Sequence, residues 1–86
     1  MFYVYILRCN DDTLYTGYTV NLKNRLKRHN QGLGAKYTRG RRPVRLVYFE
    51  EIKDKGDALR REYYIKSLTR NQKLNLIREN PYSPNE

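Results

Sequence analysis

Acidic residues are scarce in this 86-residue chain: nine Asp and Glu stand against eighteen Lys and Arg, a formal charge of +9. Cysteine, histidine and methionine occur once each, and proline three times. A lone Cys9 excludes a disulfide framework within the chain, and a lone His29 excludes a zinc cluster built from Cys and His. That usage suits a reducing compartment. Long apolar runs are missing too. The longest, Phe2 to Leu7, falls far short of the roughly 20 residues that cross a bilayer. It has no basic segment before it and no cleavage-site pattern after it. The expectation is a cytoplasmic chain with no membrane segment. There is no G-x-S-x-G elbow, no Walker A motif and no Rossmann fingerprint, which sets aside the chemistries those motifs serve.

What is present is basic and aromatic. Only 38% of the residues are apolar, yet nine tyrosines and two phenylalanines are available, so rings must supply much of the buried area of one small core. Lys and Arg crowd into KNRLKRH (Lys23–His29) and AKYTRGRRPVR (Ala35–Arg45). Phosphate backbones bind such surfaces through counterion release. Lys23, Arg28, Lys36, Arg39, Arg41, Arg42 and Lys66 are the candidate contacts, and Tyr37 could stack on a base or help close over a cleft with Thr38. A membrane surface would need a broad apolar helix face, and the first helix offers only Leu22 and Leu26. Nucleic acid is therefore the expected partner, while a protein partner or an oligomer stays open.

The local patterns predict an α+β fold of order ββαβαα. FYVYILR (Phe2–Arg8) is apolar on both parities, as a central strand covered on both faces would be. A CNDD turn and TLYTGYT (Thr13–Thr19) complete a hairpin, with Gly17 marking a bulge or a close approach. Asn21 caps a helix to about Asn30, and QGLG stops it. Residues Gly32 to Pro43 read as a glycine-rich basic loop, and Val44–Ile52 as a third strand. Asp54 caps a helix from Lys55 to Leu68. Thr69 and Gln72 form a T-x-x-Q capping box for a last helix, with Leu74 and Ile77 on one side. The sheet is three-stranded and mainly antiparallel, flanked by three helices. Residues 1–80 read as one domain, with a frayed tail over 81–86.

One acid stands out. In DALRREYYIKSLT (Asp57–Thr69), Ala58, Leu59 and Ile65 define an apolar arc, and Glu62 falls near its middle. A carboxylate aimed inward must be paired, hydrogen-bonded or metal-bound. Lys66, one turn along, is a ready i, i+4 partner, so both readings stand. Asp11/Asp12 and Glu50/Glu51 read as solvated charge. Tyr5 and Tyr15 taken singly fit core positions with their hydroxyls at the rim; Arg25 fits a solvated helix charge, and His29 a partner for the helix C-terminal dipole.

Taken in order, YVY on the first strand, YTG (Tyr15–Gly17) ten residues on, Arg25 and His29 one helical turn apart, and Glu62 on a later helix resemble the GIY-YIG nuclease superfamily. The set is similar to its small stand-alone bacterial members and to the catalytic domain of the endonuclease that cuts branched DNA. The resemblance spans roughly residues 2 to 78. It implies that Tyr5 and Tyr15 act on the attacking water and that Gly17 lets the backbone approach the scissile phosphate. It further implies that Arg25 and His29 engage that phosphate, and that Glu62 holds Mg²⁺ or Mn²⁺. The first motif lacks its leading glycine, Thr16 replaces an aliphatic residue in the second, and Asn71, Asn75 and Asn80 are all candidates for the asparagine many members carry, so none is assigned to the site. The expected activity is metal-dependent hydrolysis of DNA phosphodiesters. The alternatives are a catalytically silent nucleic-acid-binding module on the same scaffold and a protein-docking adaptor.

Overall fold

A computed structural model describes residues 1–80; the tail expected to fray, 81–86, lies outside the described residues. Three strands, β1 (Phe2–Arg8), β2 (Leu14–Thr19) and β3 (Arg45–Ile52), form an antiparallel sheet in the order β2-β1-β3. The helices are α1 (Leu22–Asn30), α3 (Lys55–Ser67) and α4 (Arg70–Glu79), and the order is ββαβαα as the patterns indicate. One helical turn, α2 (Lys36–Arg39), adds to it inside the segment read as loop. No helix among the described residues is long and apolar enough to cross a membrane.

β1 is the central strand, and its two parities feed two cores. Val4 and Ile6 pack with Tyr48, Ala58 and Ile65 under α3 and α4, while Tyr5 and Leu7 pack with Cys9, Val44, Leu22 and Leu26 on the α1 side. The caps read from the sequence are present: the side chains of Asn21 and Asp54 accept from the backbone of Asn24 and Asp57, and Thr69 and Gln72 complete the reciprocal box. α3 stops at Ser67 because Leu68 is already extended where the chain turns into the Thr69 cap.

Sequence expectations are corrected at Leu59, Glu62 and Glu50. Leu59 is 40% exposed, whereas Ala58 and Ile65 are fully buried. The buried line of α3 thus runs through Ala58 and Ile65, and Glu62 lies about 50° off it, on its flank rather than at its centre. In α4, Leu76 and Ile77 pack on the core, and Leu74 is half-buried. Glu50 is not a solvated charge. It shares a face of the sheet with Tyr48, and Arg61 from α3 grips it at 2.8 to 3.0 Å through Nε and Nη2 while the Tyr48 hydroxyl donates to it. Burial alone would raise the Glu50 carboxyl, but the Arg61 and Tyr48 hydrogen bonds outweigh it and hold the pKa below the usual value.

This fork ties α3 to β3 and fixes how the helix is rotated. Arg61→Ala is expected to lower unfolding free energy by about 1–3 kcal/mol, because a half-buried Glu50 loses its partner. Urea denaturation measures it, and an unchanged midpoint would contradict the role. Thr69→Ala should cost about 1 kcal/mol through loss of the capping box.

Candidate active site

The odd-numbered face of β1 carries the candidate site. Tyr5 is 1% exposed and directly opposite Gly17 across the β1–β2 pair. A Cβ on Gly17 would stand 2.5 Å from the Tyr5 hydroxyl oxygen and 2.7 Å from Cζ. The glycine therefore gives its space to the phenol, which lies across β2.

α1 meets this ring from above. His29, the one residue of α1 that is fully buried, puts Nε2 2.9 Å from the Tyr5 hydroxyl and Nδ1 2.9 Å from the Thr38 hydroxyl. Arg25, one turn earlier, donates from Nε to the Tyr5 oxygen at 3.4 Å. Tyr15 on β2 sets its ring edge-on to His29 at 5.4 Å and 6.4 Å from the ring of Tyr5. Tyr37 stacks on Tyr15 at 5.9 Å, and the Arg41 guanidinium lies 4.1 Å above the Tyr37 ring. Tyr5, Tyr15, Gly17, Arg25 and His29 thus meet in one cluster.

The electrostatics follow from burial. The Tyr5 phenol is pushed up to about 12, chiefly by desolvation; the Arg25 hydrogen bond opposes that, and the negative forms of Tyr15 and Glu62 add to it. Its proton stays on at neutral pH. His29 is pushed down to about 4 by burial first and by repulsion from Arg25 second. Arg25 is held above its ordinary value, mainly through Tyr5. Together these make a neutral phenol–imidazole pair beside a fixed cation.

Glu62 reaches this region from the other face of the sheet. α3 packs mainly over β1 and β2. Arg61 faces Glu50 on β3, so Glu62 takes the opposite flank, toward β2, where its field reaches the Tyr5 phenol. Its side chain is 17% exposed, and its ion-pair partner among the described residues is Lys66, at 3.4 Å. Lys66 is itself half exposed and held in no other ion pair among the described residues. No cluster of three or more His, Cys, Asp or Glu exists among the described residues. A single carboxylate with a loose partner fits a Mg²⁺ or Mn²⁺ ion that fills its shell with water and phosphate oxygens, and does not fit an ion caged by protein alone.

The basic segment Gly32–Pro43 is tied down at several points. The Asn30 amide exchanges two hydrogen bonds with Val44, at 2.7 and 3.1 Å. Arg42 donates to the carbonyls of Arg39 and Asn30, and Arg41 to Asp11 and to the Tyr37 carbonyl. Lys23, Arg28, Lys36 and Arg39 remain exposed. The anchored segment presses two residues that the sequence reading did not assign to the site against the imidazole. Thr38 is fully buried, and a Cβ on Gly34 would stand 2.7 Å from His29 Cγ. No sequence pattern marks Gly34; Thr38 reads in the sequence only as a companion of Tyr37 in closing over a cleft.

A buried imidazole with a lowered pKa has a consequence for acid stability. The unfolded chain takes the proton first, near pH 6.5, so the stability contributed by neutral His29 is complete above that value and is lost as pH falls toward 4. Because the chain has one histidine, ring nitrogen shifts report it directly. They are expected to stay in the neutral form down to about pH 5, and titration near 6.5 would contradict the burial argument.

The catalytic-domain model of GIY-YIG proteins matches residues 1–75. The chain is 68% identical over 77 residues to a UPF0213 protein of Clostridium perfringens, covering 90% of this chain and 83% of that one. It is 54% identical over 82 residues to a UPF0213 protein of Pediococcus pentosaceus, covering 95% and 86%. The solution NMR structure of a UPF0213 protein from Bacillus halodurans aligns with a TM-score of 0.63 at 47% identity, over 100% of this chain and 92% of that one. With the ββαβαα frame, the paired tyrosines and this match in hand, the chain belongs to the GIY-YIG catalytic domain family, a nuclease family that generally uses divalent metals.

Proposed function

We propose that the protein is a metal-dependent endonuclease that hydrolyses phosphodiester bonds in DNA, as one compact unit over residues 1–80. The observation that carries this reading is the cluster of Tyr5, Tyr15, Arg25 and His29 on one face, with Glu62 close enough for its charge to be felt at Tyr5. An arginine and a neutral imidazole that share one buried phenol, with both pKa values displaced, mark a functional-site candidate.

Tyr15, half-buried at the mouth, orders the attacking water, and Tyr5 behind it connects that water to His29. As the water attacks phosphorus, its proton passes to the Tyr5 oxygen while the Tyr5 proton moves to the imidazole. A P–O bond breaks, the leaving oxygen takes a proton from solvent, and the imidazolium then returns its proton to solvent through Tyr5, which regenerates the pair. A low pKa keeps the imidazole vacant before substrate arrives. The negative phosphodiester then raises its proton affinity toward the working pH. Arg25 lies beside the phenol with a fixed guanidinium fork for the phosphoryl oxygens, where charge grows in the transition state. A divalent ion held by Glu62 would supply further charge neutralisation at the phosphate. Lys23, Arg28, Lys36 and Arg39 track the backbone, with Lys66 beside Glu62; Arg41 and Arg42 contribute through the loop they brace, and Tyr37 by flanking Tyr15. These contacts position the duplex without reading its sequence.

Incubation with branched and nicked DNA and Mg²⁺ or Mn²⁺ should yield cleavage that chelator abolishes. Glu62→Gln and Arg25→Ala should each lower the rate by about 10²–10³-fold while the far-UV spectrum is kept. Salt-sensitive binding without cleavage under these conditions would replace this reading with a silent DNA-binding module.

A further inference from the structure

We propose that Thr38 is a positioning residue that fixes the tautomer of His29, leaving the Nε2 lone pair aimed at Tyr5. The Thr38 hydroxyl oxygen lies 2.9 Å from the Ala35 carbonyl oxygen and 2.9 Å from His29 Nδ1. A carbonyl only accepts, so the one hydroxyl hydrogen goes to Ala35. The hydrogen shared with His29 must then sit on Nδ1. A neutral imidazole carries a single ring hydrogen, so Nε2 is bare and the Tyr5 O–H is the donor across their 2.9 Å contact.

Arg25 gives an independent check. Its Nε–H donates to the Tyr5 oxygen, which suits a phenol whose own hydrogen points at His29. With the other tautomer, Nε2–H and Arg25 would both donate to one phenol oxygen, and Thr38 would face a bare Nδ1 with its hydrogen already committed. All four bonds therefore agree on one arrangement, and its origin is the first turn of α2. Thr38 N–H and Oγ1–H both donate to the Ala35 carbonyl, at 3.1 and 2.9 Å. Gly34, just ahead of that turn, packs against the imidazole where a Cβ would overlap it. The basic segment thus acts on the reaction from inside as well as on the DNA from outside.

The rate effect of Thr38 rests on the nuclease reading, but the tautomer does not. Long-range proton–nitrogen correlation on the chain's single histidine reads it without substrate. The native protein should show protonated Nδ1 and bare Nε2. Thr38→Val should move the hydrogen to Nε2, since a buried Nδ1–H without an acceptor is the costlier state, and Thr38→Ser should keep the native pattern. In cleavage assays Thr38→Val should lower kcat by about 10–100-fold with KM little changed, and Thr38→Ser should restore it. A native protein with protonated Nε2 overturns the assignment even if Thr38→Val fails to fold, and so does a folded Thr38→Val that keeps Nδ1–H. A protein that never cleaves DNA but shows the native tautomer and its shift in Thr38→Val would sink the nuclease reading and leave the assignment of Thr38 standing.

Discussion

The hydrogen bond between Tyr5 and His29 governs the arrangement around it. Both side chains are removed from water, at 1% and 0% exposure, and a buried polar group left unpaired costs on the order of 1–3 kcal/mol. Each neighbour answers that demand. Gly17 clears the strand for the phenol, Arg25 supplies a donor to its oxygen, Thr38 satisfies the far nitrogen and Gly34 closes over the ring. The bond also joins β1 to α1, so the second core and the chemistry of the site are one construction.

The sheet divides its labour by face. Under α3 and α4, Val4, Ile6, Ala58 and Ile65 form an apolar cluster bordered by the closed Glu50–Arg61–Tyr48 fork. Under α1, polar rings join the aliphatic side chains of Leu7, Val44, Leu22 and Leu26. Glu62 belongs to the first layer by its helix and to the second by its field. The Arg61 fork, by setting the rotation of α3, decides that Glu62 lies on the flank facing β2. Stability on one face thus orients chemistry on the other.

The charge of +9 conceals two populations. Arg61, Arg41 and Arg42 are committed to carboxylates, carbonyls and a ring, and hold the molecule together. Lys23, Arg28, Lys36 and Arg39 face solvent. Exposed cations of this second kind can release counterions from a phosphate backbone without a structural cost.

The frame was legible in the sequence because its signals are local. Alternation and β-branched or aromatic content mark the strands, and Asn21, Asp54 and the Thr69–Gln72 box mark where helices begin, since caps act within three residues. The ordered tyrosines, Arg25, His29 and Glu62 also stood out, as chemically unusual types at fixed steps. What the chain order did not reveal is where each side chain finds its partner. Glu50 looked solvated until Arg61, eleven residues on, closed over it, and Leu59 looked buried until that same fork set the rotation of α3. Gly32–Pro43 looked like open loop, yet its anchors, Asn30, Asp11 and Val44, come from other elements. Short-range propensity by itself determined the elements, their order and the residues able to do chemistry. Only tertiary packing decided which hydroxyl faces which ring nitrogen and which cations stay free, because a desolvated hydrogen bond or ion pair is satisfied by whatever folding brings within 3 Å, however far away in sequence.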